Sequence, residues 1–304
     1  DPPEHTRFRK IFTGEFTVRR TRKLEPKVER ITADRIAAMR EKGPSLDLVR
    51  EFALPIPSLV ICELLGVPYE DHAFFQRHSE IMLDHERTME EAVHSYTVMA
   101  EFLGGLVRQK RDAPEDDLLS RLATADFTDI EAAGSAMLML AAGHETTAKM
   151  LGLGTYLLLS HPDQMRLLRD RPELVDNAVE EMMRYLSIVQ FGVVRGAVED
   201  VELEGRLIRA GETVTVALSA ANRDPGLFPD ADVLDLTRNA GRHLGFGYGV
   251  HQCVGQQLAR VEMRIAFRRL IAAFPGLRLD GDPGEIETTR LASMYGVRSL
   301  PVSW

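Results

Sequence analysis

The chain has 304 residues, 44% of them hydrophobic and 27% charged, and carries a net charge of −9 at pH 7. That balance suits a folded globular protein, and the acidic excess excludes a general nucleic-acid binder, which needs basic surface for phosphates. With no long apolar run and no apolar leader behind a basic start, neither a membrane span nor a secretion signal is expected.

The opening, "DPPEHTRFRK", starts in mid-stride and reads as the continuation of a longer natural chain. Asp1 suits a helix N-cap, with Pro2 and Pro3 in the first turn and Glu4 complementing the dipole. His5 and Arg9 then share a face. "SLDLVREFALPIPSLVICELLGVP" (Ser45 to Pro68) has apolar residues at helical spacing and a stop at Gly66 to Pro68. "MEEAVHSYTVMAEFLGGLVRQKRD" is an amphipathic helix with a basic last turn. In "DDLLSRLATADFTDIEAAG" a helix and a break precede a cap at Thr128 or Asp129. A long helix, apolar nearly all round, follows from Ile130 to about Leu159 and is expected to cross the centre of the protein.

The period changes in "VELEGRLIRAGETVTVAL", where apolar and polar residues alternate around turns at Gly205 and Gly211. A small β-sheet is expected there. Helical spacing returns with Val254, Leu258, Val261 and Ile265, and the tail "ASMYGVRSLPVSW" reads as strand-like. The expectation is one mainly α domain over residues 1–304 with a minor β-sheet.

In "LAAGHETTAKM" a histidine and glutamate open what would be a zinc-protease motif, but Ala148 occupies the second ligand position. The two cysteines, Cys62 and Cys253, stand in unlike contexts and suggest a reducing cytoplasm. "HLGFGYGVHQCVGQQLAR" is the more informative stretch. Gly245, Gly247 and Gly249 permit tight turning and close approach to a flat partner, and Cys253 opens a helix whose N–H groups favour thiolate. Three readings follow: a structural cysteine, a hydrolase nucleophile with His251 as base, or a thiolate ligand of haem iron.

Phe246, Gly247, Gly249, His251, Cys253 and Gly255 together resemble the haem-binding signature of the cytochrome P450 family. The resemblance extends to the order of elements and implies the P450 fold, with haem b between the long central helix and the cysteine-loop helix. It makes Cys253 the iron ligand. Glu181 and Arg184, in "AVEEMMRYL", resemble the family's Glu-x-x-Arg pair. Val233 stands where that network's further arginine falls, which leaves Arg223 or Arg238.

His5, Arg9, Arg195 and His243 resemble propionate contacts, and His251 belongs to the haem-binding signature. Ala142 and Gly143 lie where the family's central helix crosses the haem, and Glu145 and Thr146 match its acid–threonine proton-delivery pair. The Thr146 hydroxyl is expected to bond back to the Ala142 carbonyl and loosen the helix, eased by Gly143. His144 reads as structural or substrate-facing.

The resemblance implies a cytoplasmic, monomeric monooxygenase. It hydroxylates or epoxidises a hydrophobic natural product such as a macrolide, polyene, terpenoid or steroid-like molecule, with electrons from a ferredoxin and its reductase. Arg7, Lys10, Arg260 and Arg264 are expected to dock the acidic ferredoxin. The pocket is expected from Leu138 to Ala142, Ser187 to Val193 (Val189, Phe191 and Gly192 within it) and Ala292 to Gly296 (Met294 and Tyr295 within it). A haem-thiolate peroxygenase or isomerase, or a non-catalytic haem sensor, is the alternative.

Overall fold

The computed structural model describes residues 1–83, 87–289 and 294–304. Helices α1 (Glu4–Glu15) and α2 (Val18–Lys42) come first, then strand β1 (Ser45–Asp47) and helices α3 (Pro55–Leu65), α4 (His72–Leu83), α5 (Met89–Asp112) and α6 (Leu118–Thr124). The long α7 (Asp129–Ser160) leads to α8 (Pro162–Asp170) and α9 (Val175–Leu186). Short strands follow: β2 (Val193–Gly196), β3 (Val201–Leu203), β4 (Arg206–Ile208) and β5 (Thr213–Val216). After α10 (Leu218–Ala221) and α11 (Gln256–Ala273), β6 (Arg278–Leu279) and β7 (Pro301–Ser303) end the chain. The fold is mainly helical, and one apolar core runs through it from Phe12 to Val302.

Helix α7 is the axis. The Thr128 hydroxyl accepts the Glu131 N–H while the Glu131 carboxylate accepts the Thr128 N–H, a reciprocal cap that starts the helix in one register. Neighbours surround it: α3, α5, α6, α8, α9 and α11 all pack against it. Glycines set two of these approaches. A Cβ on Gly143 would lie 2.4 Å from Ile61 Cδ1 of α3, and one on Gly154 would lie 2.7 Å from Phe267 Cζ of α11. Gly143 therefore serves helix packing. Its open Cβ position is turned toward α3, and the helix runs unbroken past it.

Two local expectations give way to tertiary pairing. The stretch from Ser45 does not begin as a helix: β1 pairs antiparallel with β7, and a wide π-type turn at Val49–Ala53 then leads into α3. Asp47 fixes the junction by accepting the N–H groups of both Val49 and Leu300 at 2.9 Å. The partner strand lies at the far end of the chain, so spacing within this stretch carries no sign of it.

The single small sheet expected near residue 200 is instead two ribbons, β2 with β5 and β3 with β4; β1, β7 and β6 form a third, three-stranded sheet. At the β3–β4 turn, Glu204 (φ 48°) and Gly205 (φ 73°) are both left-handed. Such a two-residue turn matches the twist of the flanking strands.

Candidate functional site

The cysteine loop is held by its own backbone. Gly247 N–H donates to Leu244 O at 2.9 Å, Gln252 N–H to Gly249 O at 3.0 Å and Cys253 N–H to Phe246 O at 2.8 Å. The three glycines answer to different needs. Gly247 (φ 70°) and Gly249 (φ 80°) are left-handed, whereas Gly245 is required by contact: a Cβ there would lie 2.9 Å from His243 Nδ1.

Cys253 is exposed and Cys62 is buried. The Gly255 and Gln256 N–H groups, with Arg9 and Arg260, favour the charged form of the Cys253 sulfur. Loss of solvation within the loop outweighs them, so the free thiol titrates above its ordinary value, opposite to the expectation from the helix terminus alone. The thiol is thus open on one side and crowded on the others.

Helix α1 brings its basic face to this loop. Arg9 Nη2 donates to the Gln252 carbonyl, and the His5 and His251 rings lie 4.2 Å apart. Asp1 does not cap α1, because its carboxylate accepts from His251 Nε2 at 2.7 Å; Pro3 takes the N-cap position without a side-chain bond. His5, Arg9, His251 and Cys253 therefore converge. Arg195 lies exposed on β2, with a local bond to the Val194 carbonyl.

His243 faces the other way. Its Nε2–H donates to Glu180 Oε2 at 3.0 Å and its Nδ1 accepts the Gly245 N–H at 2.8 Å. Both ring nitrogens are engaged within the protein, so the expected propionate contact is not available to it.

On α7, Leu138 is 58% exposed although Met137, Met139 and Leu140 beside it are buried. Ala141 and Ala142 are exposed as well, and Glu145 and Thr146 are half-buried one turn on. Their spacing makes one stripe along the helix. Thr146 Oγ1 donates to Ala142 O at 2.7 Å, as the sequence suggests, yet the helix continues unbroken from Asp129 to Ser160. Thr155 makes the same bond to Leu151 O at 2.7 Å, so the bond alone does not open a helix. His144 is fully buried and its Nε2–H donates to Leu54 O at 3.1 Å. Burial holds its pKa down at about 4, so it is a neutral structural group at physiological pH.

Glu181 and Arg184 are completely buried and joined by two bonds, Nε to Oε2 at 2.7 Å and Nη2 to Oε1 at 2.8 Å. Arg184 Nη1 also donates to the Asn222 and Ala231 carbonyls. Of the two candidates for the third member, Arg238 is the one: its Nε donates to Glu181 Oε1 at 3.2 Å. Arg223 binds Asp232 and the Tyr185 carbonyl instead.

Among the expected pocket residues, Val189 pairs with Met294 across an isolated antiparallel bridge and Tyr295 N–H donates to Ile188 O at 2.8 Å. The two segments are thus brought together. Phe191 is exposed, and Gly192 (φ 75°) lies where a Cβ would collide with the Val216 carbonyl. Ala292 and Ser293 lie outside the described residues.

The loop, the buried Glu-x-x-Arg pair and the exposed stripe on the central helix now stand in one fold, and a family model described as Cytochrome P450 matches residues 71–294. The chain belongs to the cytochrome P450 family. It is 49% identical over 305 residues to Cytochrome P450-SU2 of Streptomyces griseolus, covering all of this chain and 76% of that one. It is 42% identical to the pentalenic acid synthase of Streptomyces avermitilis, covering 100% of this chain and 76% of that one. The crystal structure of CYP105P1 in complex with filipin I superposes with a TM-score of 0.92 at 44% identity, covering 100% of this chain and 78% of that one.

The chain spans about three quarters of the length of these relatives. As a P450 it is a haem-dependent monooxygenase with haem b as its cofactor. No helix among the described residues is long and apolar enough to cross a membrane.

Sequence reasoning missed Glu180, which binds both His243 and Arg260. The signal was the doubled acid in "VEEMMR", where one carboxylate serves Arg184 and its neighbour needs a partner elsewhere.

Proposed function

We propose that the chain hydroxylates or epoxidises a hydrophobic secondary metabolite, with Cys253 as the thiolate ligand of the haem iron and a ferredoxin as electron donor. The observation that carries this reading is the exposed Cys253 in a glycine loop fixed by its own backbone bonds, with the Gly255 and Gln256 N–H groups favouring negative charge on its sulfur. Such donors stabilise negative charge on sulfur, which suits a metal-bound thiolate. The chemistry of the other groups agrees. His5, Arg9 and His251 gather charge-assisted donors for carboxylates beside that thiol, and Leu138, Ala141 and Ala142 offer a flat apolar surface on α7.

When bound, the haem supplies oxygen activation and insertion into an unactivated carbon. The chain's own residues do the rest. Thr146 holds a hydroxyl beside the apolar stripe, and Glu145 in the preceding position exchanges protons with solvent. Leu138, Val189, Phe191 and Met294 exclude water and orient an apolar substrate. The single core running through the described residues supports reading 1–304 as one domain.

Of the residues expected at the ferredoxin surface, we retain Lys10. Arg7, Arg260 and Arg264 are tied into ion pairs with Glu131, Glu180 and Glu25. Lys10, Arg19 and Arg22 are exposed and form no ion pair among the described residues. In sequence they lie on either side of Phe16, whose ring lies beside Gly255, two residues from Cys253. We assign the acidic partner to these three.

Relatives support the substrate class: one is a pentalenic acid synthase and another is seen with filipin I. The test is a titration of the holoprotein with macrolides, polyenes, terpenoids and steroids, following the haem spin state. The reading expects a saturable low-to-high-spin change with at least one of these classes. A response confined to small polar compounds would contradict it.

A further inference from the structure

Two consecutive acids on α9 serve different partners. Glu181 faces Arg184 and Arg238, while Glu180 faces the cysteine loop and α11. We propose that Glu180 is a positioning residue for the haem ligand, bracing the cysteine loop through His243 and Arg260. The proposal rests on the reading of Cys253 as that ligand.

One carboxylate reaches the loop by two routes. Along the first, Glu180 Oε2 accepts from His243 Nε2 at 3.0 Å, which leaves Nδ1 as the acceptor for the Gly245 N–H at 2.8 Å. Glu180 therefore selects the tautomer that can hold the loop backbone. The fit is close on both sides: a Cβ on Gly245 would meet His243 Nδ1 at 2.9 Å and Met183 Cε at 3.0 Å. The loop can thus lie against α9 only as glycine.

Along the second route, Arg260 grips the same carboxylate at two points, Nε to Oε1 at 2.6 Å and Nη2 to Oε2 at 2.9 Å. Its Nη1 donates to Gln256 Oε1 at 2.9 Å. That orients the guanidinium, whose carbon lies 4.4 Å from the centre of the Phe246 ring. Phe246 is the residue whose carbonyl accepts the Cys253 N–H at 2.8 Å. Both routes therefore end within the hydrogen-bonded frame of the thiol, one at Gly245 and one at Phe246.

An exposed ion pair of this kind would do little. Here the His243 side chain is 1% exposed and the Glu180 side chain 19%, and the geometry is two-point. Groups behind a ligand hold its orientation and the direction of the hydrogen bonds it receives. That is the role assigned to Glu180.

The experiment uses the haem-loaded full chain as wild type, Glu180→Ala, Glu180→Gln, Arg260→Lys and the surface control Glu173→Ala. Helical circular dichroism establishes folding. Deuterium exchange of the peptide spanning the cysteine loop, and the rate at which the reduced carbon monoxide complex passes from its thiolate-type to its thiol-type band, are then compared.

Glu180→Ala, folded, should speed both loop exchange and band conversion roughly tenfold. Glu180→Gln, which still accepts from His243, should recover part of the loss, and Glu173→Ala should match wild type. Should Glu180→Ala not fold, Arg260→Lys, lacking the planar fork, takes its place with the same expectation.

Loop exchange at the wild-type rate in folded Glu180→Ala or Arg260→Lys would overturn the proposal. Faster loop exchange in a protein whose wild type never shows a thiolate-type band would uphold the brace and remove the ligand reading beneath it.

Discussion

Arg238 donates its Nε–H to Glu181 Oε1 at 3.2 Å, adding a second arginine to a carboxylate already bound twice by Arg184. Arg238 also ties down the segment it comes from, donating to the Asp230 and Val233 carbonyls at 3.0 and 3.2 Å. Removing it leaves those carbonyls and one side of a buried carboxylate short of donors. Arg238→Ala should destabilise by about 1–3 kcal/mol, whereas Glu181→Ala, which strands the fully buried Arg184, should cost about 3–5 kcal/mol. Urea denaturation checks the order; equal losses would contradict the network.

Two glycines of α7 should respond in opposite directions. A Cβ on Gly154 would lie 2.7 Å from Phe267 Cζ, so Gly154→Ala should cost about 1–3 kcal/mol through overpacking. Gly134 is exposed with nothing within 4 Å of an added Cβ. Gly134→Ala should stabilise by about 0.5–1 kcal/mol. Thermal unfolding of the two variants measures both signs.

What could be read from the sequence is what the chain carries locally. The glycine loop ending at Cys253, the Glu181–Arg184 spacing and the apolar length of α7 each lie within a few turns, and each is found in the fold. What could not be read depends on distant partners. Strand β1 exists because β7 pairs with it, His243 turns to Glu180 because α9 passes there, and Gly143 is glycine because of Ile61. The Cys253 thiol shifts opposite to the helix-terminus expectation for a related reason. The helix terminus is local, but the desolvation that outweighs it comes from the whole loop.

Buried His144 predicts an acid-sensitive stability. Its pKa is about 4 in the folded chain against 6.5 as its ordinary value. Above pH 6.5 the ring is neutral in both states and contributes nothing to the pH dependence. As pH falls from 6.5 toward 4, only the unfolded chain takes up the proton, so stability drops, by about 3 kcal/mol in all. His144→Gln, which keeps a donor for the Leu54 carbonyl, should lose less between pH 7 and 4. Parallel stability profiles for the two proteins would contradict this.

The hydroxyl of Thr146 should matter through its position and not through its bond to Ala142. Thr146→Val should lower product formed per electron pair roughly tenfold, and Thr146→Ser should restore it. Thr155 makes the same type of bond but is buried. Thr155→Val should leave the ratio of product to reductant unchanged, and an equal loss in both variants would deny Thr146 its special role.

The central claim is that Cys253 binds the iron as thiolate. The most direct measurement is the Soret band of the reduced protein under carbon monoxide, for wild type and Cys253→Ser. A strongly red-shifted band in wild type, absent from the serine variant, is the predicted result. A wild type without haem absorption, or a red-shifted band that survives in Cys253→Ser, would contradict it.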